Sequence, residues 1–218
     1  MEIMSKYLHR QKLKTILLFV VISVAGVAGI WMPLTQNIFI KLIPVALLLS
    51  FVAILLFHQS LNSWNTRLVF FSIIIVSYLV EVVGVNSELI FGKYVYGNGL
   101  GLKVFGTPLM IGLNWGMLVY CSASILDQFR LPAMVQIFFA SVLMLVYDFI
   151  LESVAPFLDM WYWDGNSAPL KNYAAWFILS VIFHGLVRWK KVKTQNPLAP
   201  AIFICQFFFF VAILLFIK

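Results

Sequence analysis

Apolar residues fall in seven blocks along the chain, at about 15–32, 38–57, 68–84, 105–126, 131–155, 172–189 and 198–217. A helix needs about 20 mostly apolar residues to cross a hydrocarbon core of about 30 Å. Each block meets or approaches that length; the third is short and carries Glu81. The pattern predicts an all-α integral membrane protein, a single domain over 1–218 built as a bundle of about seven transmembrane helices. Pro33, Pro132, Pro156, Pro169, Pro197 and Pro200 fall at or near block ends, where a missing N–H costs little. Pro44 and Pro108 lie just inside blocks, where a kink is expected. No internal repeat or low-complexity stretch is evident. The basic start followed by an apolar run has the outline of a signal peptide. That run continues to Met32 without a small-x-small cleavage site and six further blocks follow, so a retained first helix is expected.

Composition agrees with this reading: 63% of residues are hydrophobic and 11% charged, whereas soluble domains carry about a quarter charged residues. The net charge of +7 is not a nucleic-acid footprint, because the basic residues gather at 6–14 and 188–193, each beside an apolar block. That is how cytoplasmic anchors are placed. With the N-terminus cytoplasmic, the inner segments hold Lys6, Arg10, Lys12, Lys14, Arg67, Arg130, Arg188, Lys190, Lys191 and Lys193. The outer ones hold Lys93, Lys103, Lys171 and Lys218. The bias predicts a multi-pass protein of the cytoplasmic membrane with its C-terminus outside. Cys121 and Cys205 sit inside apolar blocks, without metal or disulfide spacing, and read as packing residues.

This topology gathers the unusual polar residues toward the outer leaflet. Asp148 and Glu152 are four apart and share a helix face, and Glu81 on another helix lies at similar depth. A charge in the bilayer costs roughly 2.5–3.5 kcal/mol or more, so such groups face the bundle interior. Two readings are open: structural hydrogen bonding between helices, or a carboxyl kept neutral by low dielectric and mutual repulsion and used as a general acid. The segment FGKYVYGNGLG (91–101) lacks the features of a phosphate loop. It is either a surface or re-entrant loop with Tyr94 and Tyr96 anchored at the interface, or a cap over a cavity. Trp161 and Trp163 belong to an interfacial belt, or they line a pocket in which their faces stabilise a cation. Asn114, Trp115, Asn172 and Trp176 lie within blocks, where an unpaired amide is expensive. They bond between helices or orient a carboxyl or a water. His184, with no second histidine nearby, is not a metal site; His9 and His58 are expected to be solvated at the interface.

Two stretches carry a resemblance to a known family: EVVGVNSELIFGKYVYGNGLGLKVFGTPLMIGLNW (81–115) and DFILESVAPFLDMWYWDGNSAPLKNYAAW (148–176). Together they pair FGxYxY…LG…P…W with Dxxx[DE]…WxW…P…N…W. The chain resembles the carotenoid-biosynthesis membrane family that includes bisanhydrobacterioruberin hydratase and gamma-carotene 1',2'-hydratases, over roughly 70–187. The family motif falls on Glu81, Gly84, Phe91, Gly92, Tyr94, Tyr96, Leu100, Gly101, Pro108 and Trp115. It continues through Asp148, Glu152, Trp161, Trp163, Pro169, Asn172 and Trp176. Ser153, Glu152 and Ala175 depart from residues common in the family.

The resemblance implies addition of water across the terminal double bond of an acyclic carotenoid end group, the apolar substrate arriving sideways from the bilayer. Protonation at the less substituted carbon gives a tertiary cation that water captures, without a redox cofactor or metal. Asp148, Glu152 and Glu81 are then the acid and water-positioning carboxyls, with Asp148 as acid and Glu152 as its partner. Tyr94, Tyr96, Trp115, Trp161 and Trp163 form the aromatic cradle, with Asn114, Asn172 and Trp176 beside it. A lycopene-cyclase-type enzyme needs the same acid and pocket, and a carotenoid-binding protein without catalysis is a further alternative. A retinal Schiff base is not supported, because the last block holds only Lys218, at its end.

Overall fold

The computed structural model describes the backbone of residues 2–58 and 64–216, with side chains described for 11–58 and 64–216. The elements run α1 (Glu2–Trp31), α2 (Gln36–Phe57), α3 (Trp64–Ser87), β1 (Tyr94–Tyr96), β2 (Lys103–Val104), β3 (Thr107–Pro108), α4 (Leu109–Leu126), α5 (Ala133–Val154), β4 (Trp161–Trp163), α6 (Leu170–Trp189) and α7 (Ala199–Phe216). Among the described residues all seven helices are long and apolar enough to cross a membrane, one for each block in the sequence. The third span is longer than its apolar block suggests, because the helix continues through polar residues at both ends.

α4 is the central helix: 78% of its span is buried, against 17–33% for the others. It packs against α2, α3, α5, α6 and α7, so lipid-facing residues such as Leu56, Phe71 and Phe208 lie on the outer ring instead. Close approach of α3 and α4 depends on Gly112, where a Cβ would sit 2.6 Å from the Ile74 carbonyl oxygen. A side chain there would force the two helices apart.

α4 begins four residues later than expected. Residues 103–108 fold instead into a small antiparallel hairpin, Lys103 opposite Pro108 and Val104 opposite Thr107, turned by Phe105 and Gly106 with positive φ. Pro108 therefore caps α4 and does not kink it, whereas Pro44 lies inside α2. Pro132 and Pro169 likewise occupy the N-caps of α5 and α6. The Val104 and Phe105 carbonyls accept from Tyr78 (2.8 Å) and Asn86 (3.3 Å), two polar side chains of α3. Irregular backbone beside a membrane helix needs such partners.

At the end of the bundle away from this hairpin, Asp127 closes α4 and accepts from Arg188 of α6 and from the backbone and hydroxyl of Thr194. Asn196 caps α7 through Leu198 N (2.9 Å) and Ala199 N (3.3 Å) while donating to Ile54 O of α2 (2.8 Å). His58 corrects an expectation. It is buried, and its Nδ1 bonds the Tyr120 hydroxyl of α4, because the end of α2 packs on the central helix. His9 lies outside the residues with described side chains.

Candidate active site

α3 and α5 both run toward the hairpin end, and each carries a carboxyl near that terminus: Glu81 one turn and a half from the end of α3, Asp148 and Glu152 on the last two turns of α5. Over them lies a two-stranded ribbon. β1 pairs antiparallel with β4, Tyr94 opposite Trp163, Val95 opposite Tyr162 and Tyr96 opposite Trp161. Side chains alternate across a strand, so Tyr94, Tyr96, Trp161 and Trp163 turn inward and are buried, while Val95 and Tyr162 face out. The rings follow the register: Tyr94 and Trp163 centroids are 4.7 Å apart, Tyr96 and Trp161 6.1 Å. The approach of 97–99 to 158–160 closes the ribbon's end through Gly97 N to Met160 O (2.9 Å) and Gly99 N to Asp159 O (2.6 Å). At Gly99 a Cβ would meet the Leu158 carbonyl at 2.2 Å, so only glycine fits.

Each strand serves one carboxyl. Glu81 Oε2 accepts from the hydroxyls of Tyr94 (2.7 Å) and Tyr96 (2.9 Å), and its Oε1 from Trp115 Nε1 of α4 (3.1 Å). Glu152 Oε2 accepts from the indoles of Trp161 (2.9 Å) and Trp163 (2.6 Å), and its Oε1 from Asn172 Nδ2 of α6 (2.9 Å). The same Asn172 amide reaches Asp148 Oδ2 at 3.3 Å, and Asp148 Oδ1 is buried with no partner. The motif of carboxyl, paired aromatics on a strand and a donor on the following helix therefore occurs twice, in 81–115 and again in 152–172. Sequence comparison hides it, since tyrosine stands for tryptophan and Trp115 for Asn172.

Among the described residues no Lys or Arg pairs with any of the three carboxyls; the ion pairs are Lys93–Asp164 and Arg188–Asp127. Neutral donors alone offset the cost of burying them. Tyr94 and Tyr96 lie outside the helices. Burial, reinforced by the neighbouring Glu81 carboxylate, pushes both phenols well above their ordinary range. They stay protonated and remain donors.

A cavity lies between Glu81 and Glu152, walled by Phe91, Tyr94, Tyr96, Ile111, Trp161, Trp163, Asn172 and Trp176. It leaves about 10 Å³ for the centre of a water-sized sphere, enough for one water. Trp115 and Trp176 stack behind it, centroids 4.1 Å apart and planes at 27°. Most residues singled out in the sequence thus converge here, and neither strand's inward aromatics form an interfacial belt. Three do not reach the cavity. Asp148 is wholly buried behind Glu152, Trp115 lies behind Trp176 and touches the site only through its bond to Glu81, and Asn114, whose Oδ1 is buried without a partner, is not a wall residue. Ile111 gave no signal in the sequence, and Phe91 appeared only as a motif position.

No curated protein and no solved structure matches the chain. The family model for carotenoid biosynthesis proteins matches residues 42–218, all of the bundle from within α2 onward, and so takes in α7 as well as both halves of the site. By that match the chain belongs to the carotenoid biosynthesis protein family.

Proposed function

We propose that this protein is a carotenoid hydratase, which adds water to the terminal double bond of an acyclic carotenoid end group drawn from the bilayer. One observation carries the reading: two carboxyls from different helices face one water-sized cavity inside an aromatic cage. Water addition to an alkene needs a proton donor, a water with a base to receive its proton, and shelter for the cation between those steps.

The hydrogen bonds suggest how the carboxyls divide this work. Glu81 and Glu152 each have one oxygen held by two cap donors and another held by a single donor. The singly bonded oxygen has room for a proton. The cavity as it stands admits one water, so its aromatic walls must part to admit the end group; Glu152 then protonates the less substituted alkene carbon, and the tertiary cation forms among the rings. Such contacts contribute about 0.5–2 kcal/mol each when desolvated. Water held against Glu81 attacks the cation and gives up its proton to that carboxylate. Return of the proton from Glu81 to Glu152 through a new water restores the site. Asp148, behind Glu152 and with one oxygen free of donors, is the proton store on this reading, and Asn172 fixes the two carboxyls together. The acid expected at Asp148 therefore acts on substrate through Glu152.

The test is expression in a lycopene-producing host with chromatography and mass spectrometry of the pigments. Carotenoids that have gained one water are expected. A pigment of unchanged mass bearing a new ring would identify a cyclase instead, and unaltered lycopene would leave only binding.

A further inference from the structure

α1, α2 and α7 enclose an apolar groove of about 260 Å³ on the face of the bundle away from α3 and α6, and one glutamine lies at its floor. The groove runs along α1 from Phe19 to Ile30, about 16 Å at 1.5 Å per residue. Two serines line it, but their hydroxyls are already turned to their own helices, Ser23 to Phe19 O and Ser50 to Ala46 O, both at 2.8 Å. Gln206 is different. Its Nε2 donates to Met117 Sδ at 3.8 Å, and its Oε1 accepts from Tyr147 Oη at 3.5 Å. Both contacts stand at the limit of hydrogen bonding, and a thioether is a weak acceptor. A primary amide offers two donors and two lone pairs, and leaving such a group unsatisfied away from water is costly. An apolar groove with a half-satisfied amide at its floor suits a long hydrocarbon bearing one hydroxyl.

We propose that this groove is a second ligand site, which holds a hydroxylated carotenoid with its alcohol on Gln206. The identity of the alcohol rests on the hydratase reading, since the product of that reaction is such a molecule. A plain acyl chain or unhydrated carotenoid fills the groove equally well but leaves the amide unmet.

The experiment uses the full-length protein, purified in mild detergent and stripped of pigment, and offered lycopene or its tertiary alcohol. Binding is followed by quenching of tryptophan fluorescence. One additional hydrogen bond is expected to favour the alcohol by roughly two- to twelvefold. Gln206→Leu should erase the preference while retaining affinity for lycopene, and Ala46→Phe, which fills the groove, should weaken binding of both. Equal affinity of the wild type for the two pigments, or a preference unchanged in Gln206→Leu, overturns the proposal. Each measurement is repeated in a Glu152→Gln background, where supplied lycopene is not hydrated, and the part of the binding that Ala46→Phe removes is that of the groove and not of the carboxyl cavity. A wild type that makes no hydrated pigment in the host defeats the hydratase reading alone.

Discussion

Tyr96 and Trp161 are register partners in the cap ribbon, yet they donate to different carboxyls, Tyr96 to Glu81 and Trp161 to Glu152. The ribbon is thereby pinned at two points to α3 and α5, two helices that end beneath it and both pack against the central α4. Its pairing holds the carboxyls a fixed distance apart, and the carboxyls hold the ribbon down.

Removal of the proton-carrying group at either cavity carboxyl should be severe. Glu152→Gln and Glu81→Gln are each expected to lower hydrated carotenoid per protein by roughly 10²- to 10⁴-fold, the range for one acid–base group. Asp148→Asn should also lose activity while the protein remains folded and able to bind carotenoid. Pigment analysis of host membranes at matched expression reads all three. Near-normal turnover in Asp148→Asn would remove the proton store and leave Glu152 as the sole acid.

The cap aromatics should matter to stability as well as chemistry. Trp161→Phe with Trp163→Phe strips both donors from Glu152 Oε2 and leaves a buried oxygen unmet, at about 1–3 kcal/mol. A lower thermal midpoint in detergent is expected. Val95→Ala, on the outward side of the same ribbon, should change it little.

Orientation follows from the basic residues. A cysteine at exposed Asn98 or Asn166, both on the cap side, should react with a membrane-impermeant reagent in intact cells. If both were protected, the chain would lie the other way round.

A different lesion is expected at the far end. Asp127 is mostly buried against Arg188 and Thr194, so Asp127→Ala strands a largely buried guanidinium. Breaking such a pair costs about 3–5 kcal/mol. Reduced yield and a lowered midpoint should follow, and the double variant Asp127→Ala with Arg188→Leu should recover part of the loss.

The helices were legible because hydrocarbon thickness imposes a length on any apolar span, and that length shows in one dimension. The carboxyls were legible for a related reason: Glu81, Asp148 and Glu152 are costly where they stand, so their presence demands an account. What did not show was pairing. The register that sets Tyr94 against Trp163 joins residues 69 apart in the chain, and the intervening helices α4 and α5 contain no trace of it. Nor did the sequence distinguish the front of the site from its back. Asp148 and Glu152 share a helix face, and only the reach of Asn172 and the cap separates one at the cavity from one behind it. His58 failed as an expectation because its place near a block end hid its contact with the central helix.

The donors to each carboxyl all come later in the chain than the carboxyl itself: for Glu81 they follow by 13, 15 and 34 residues, and for Glu152 by 9, 11 and 20. During synthesis, each acid therefore enters the membrane just ahead of its own partners. Neither has to wait for the other half of the protein. The stretch from α3 through α4 can satisfy Glu81 while α5 is still being made, and α5 through α6 can then do the same for Glu152. Ribbon pairing comes last and joins two half-sites whose buried carboxyls have already found donors, so the order of translation is also an order in which neither Glu81 nor Glu152 is left long unpartnered in lipid.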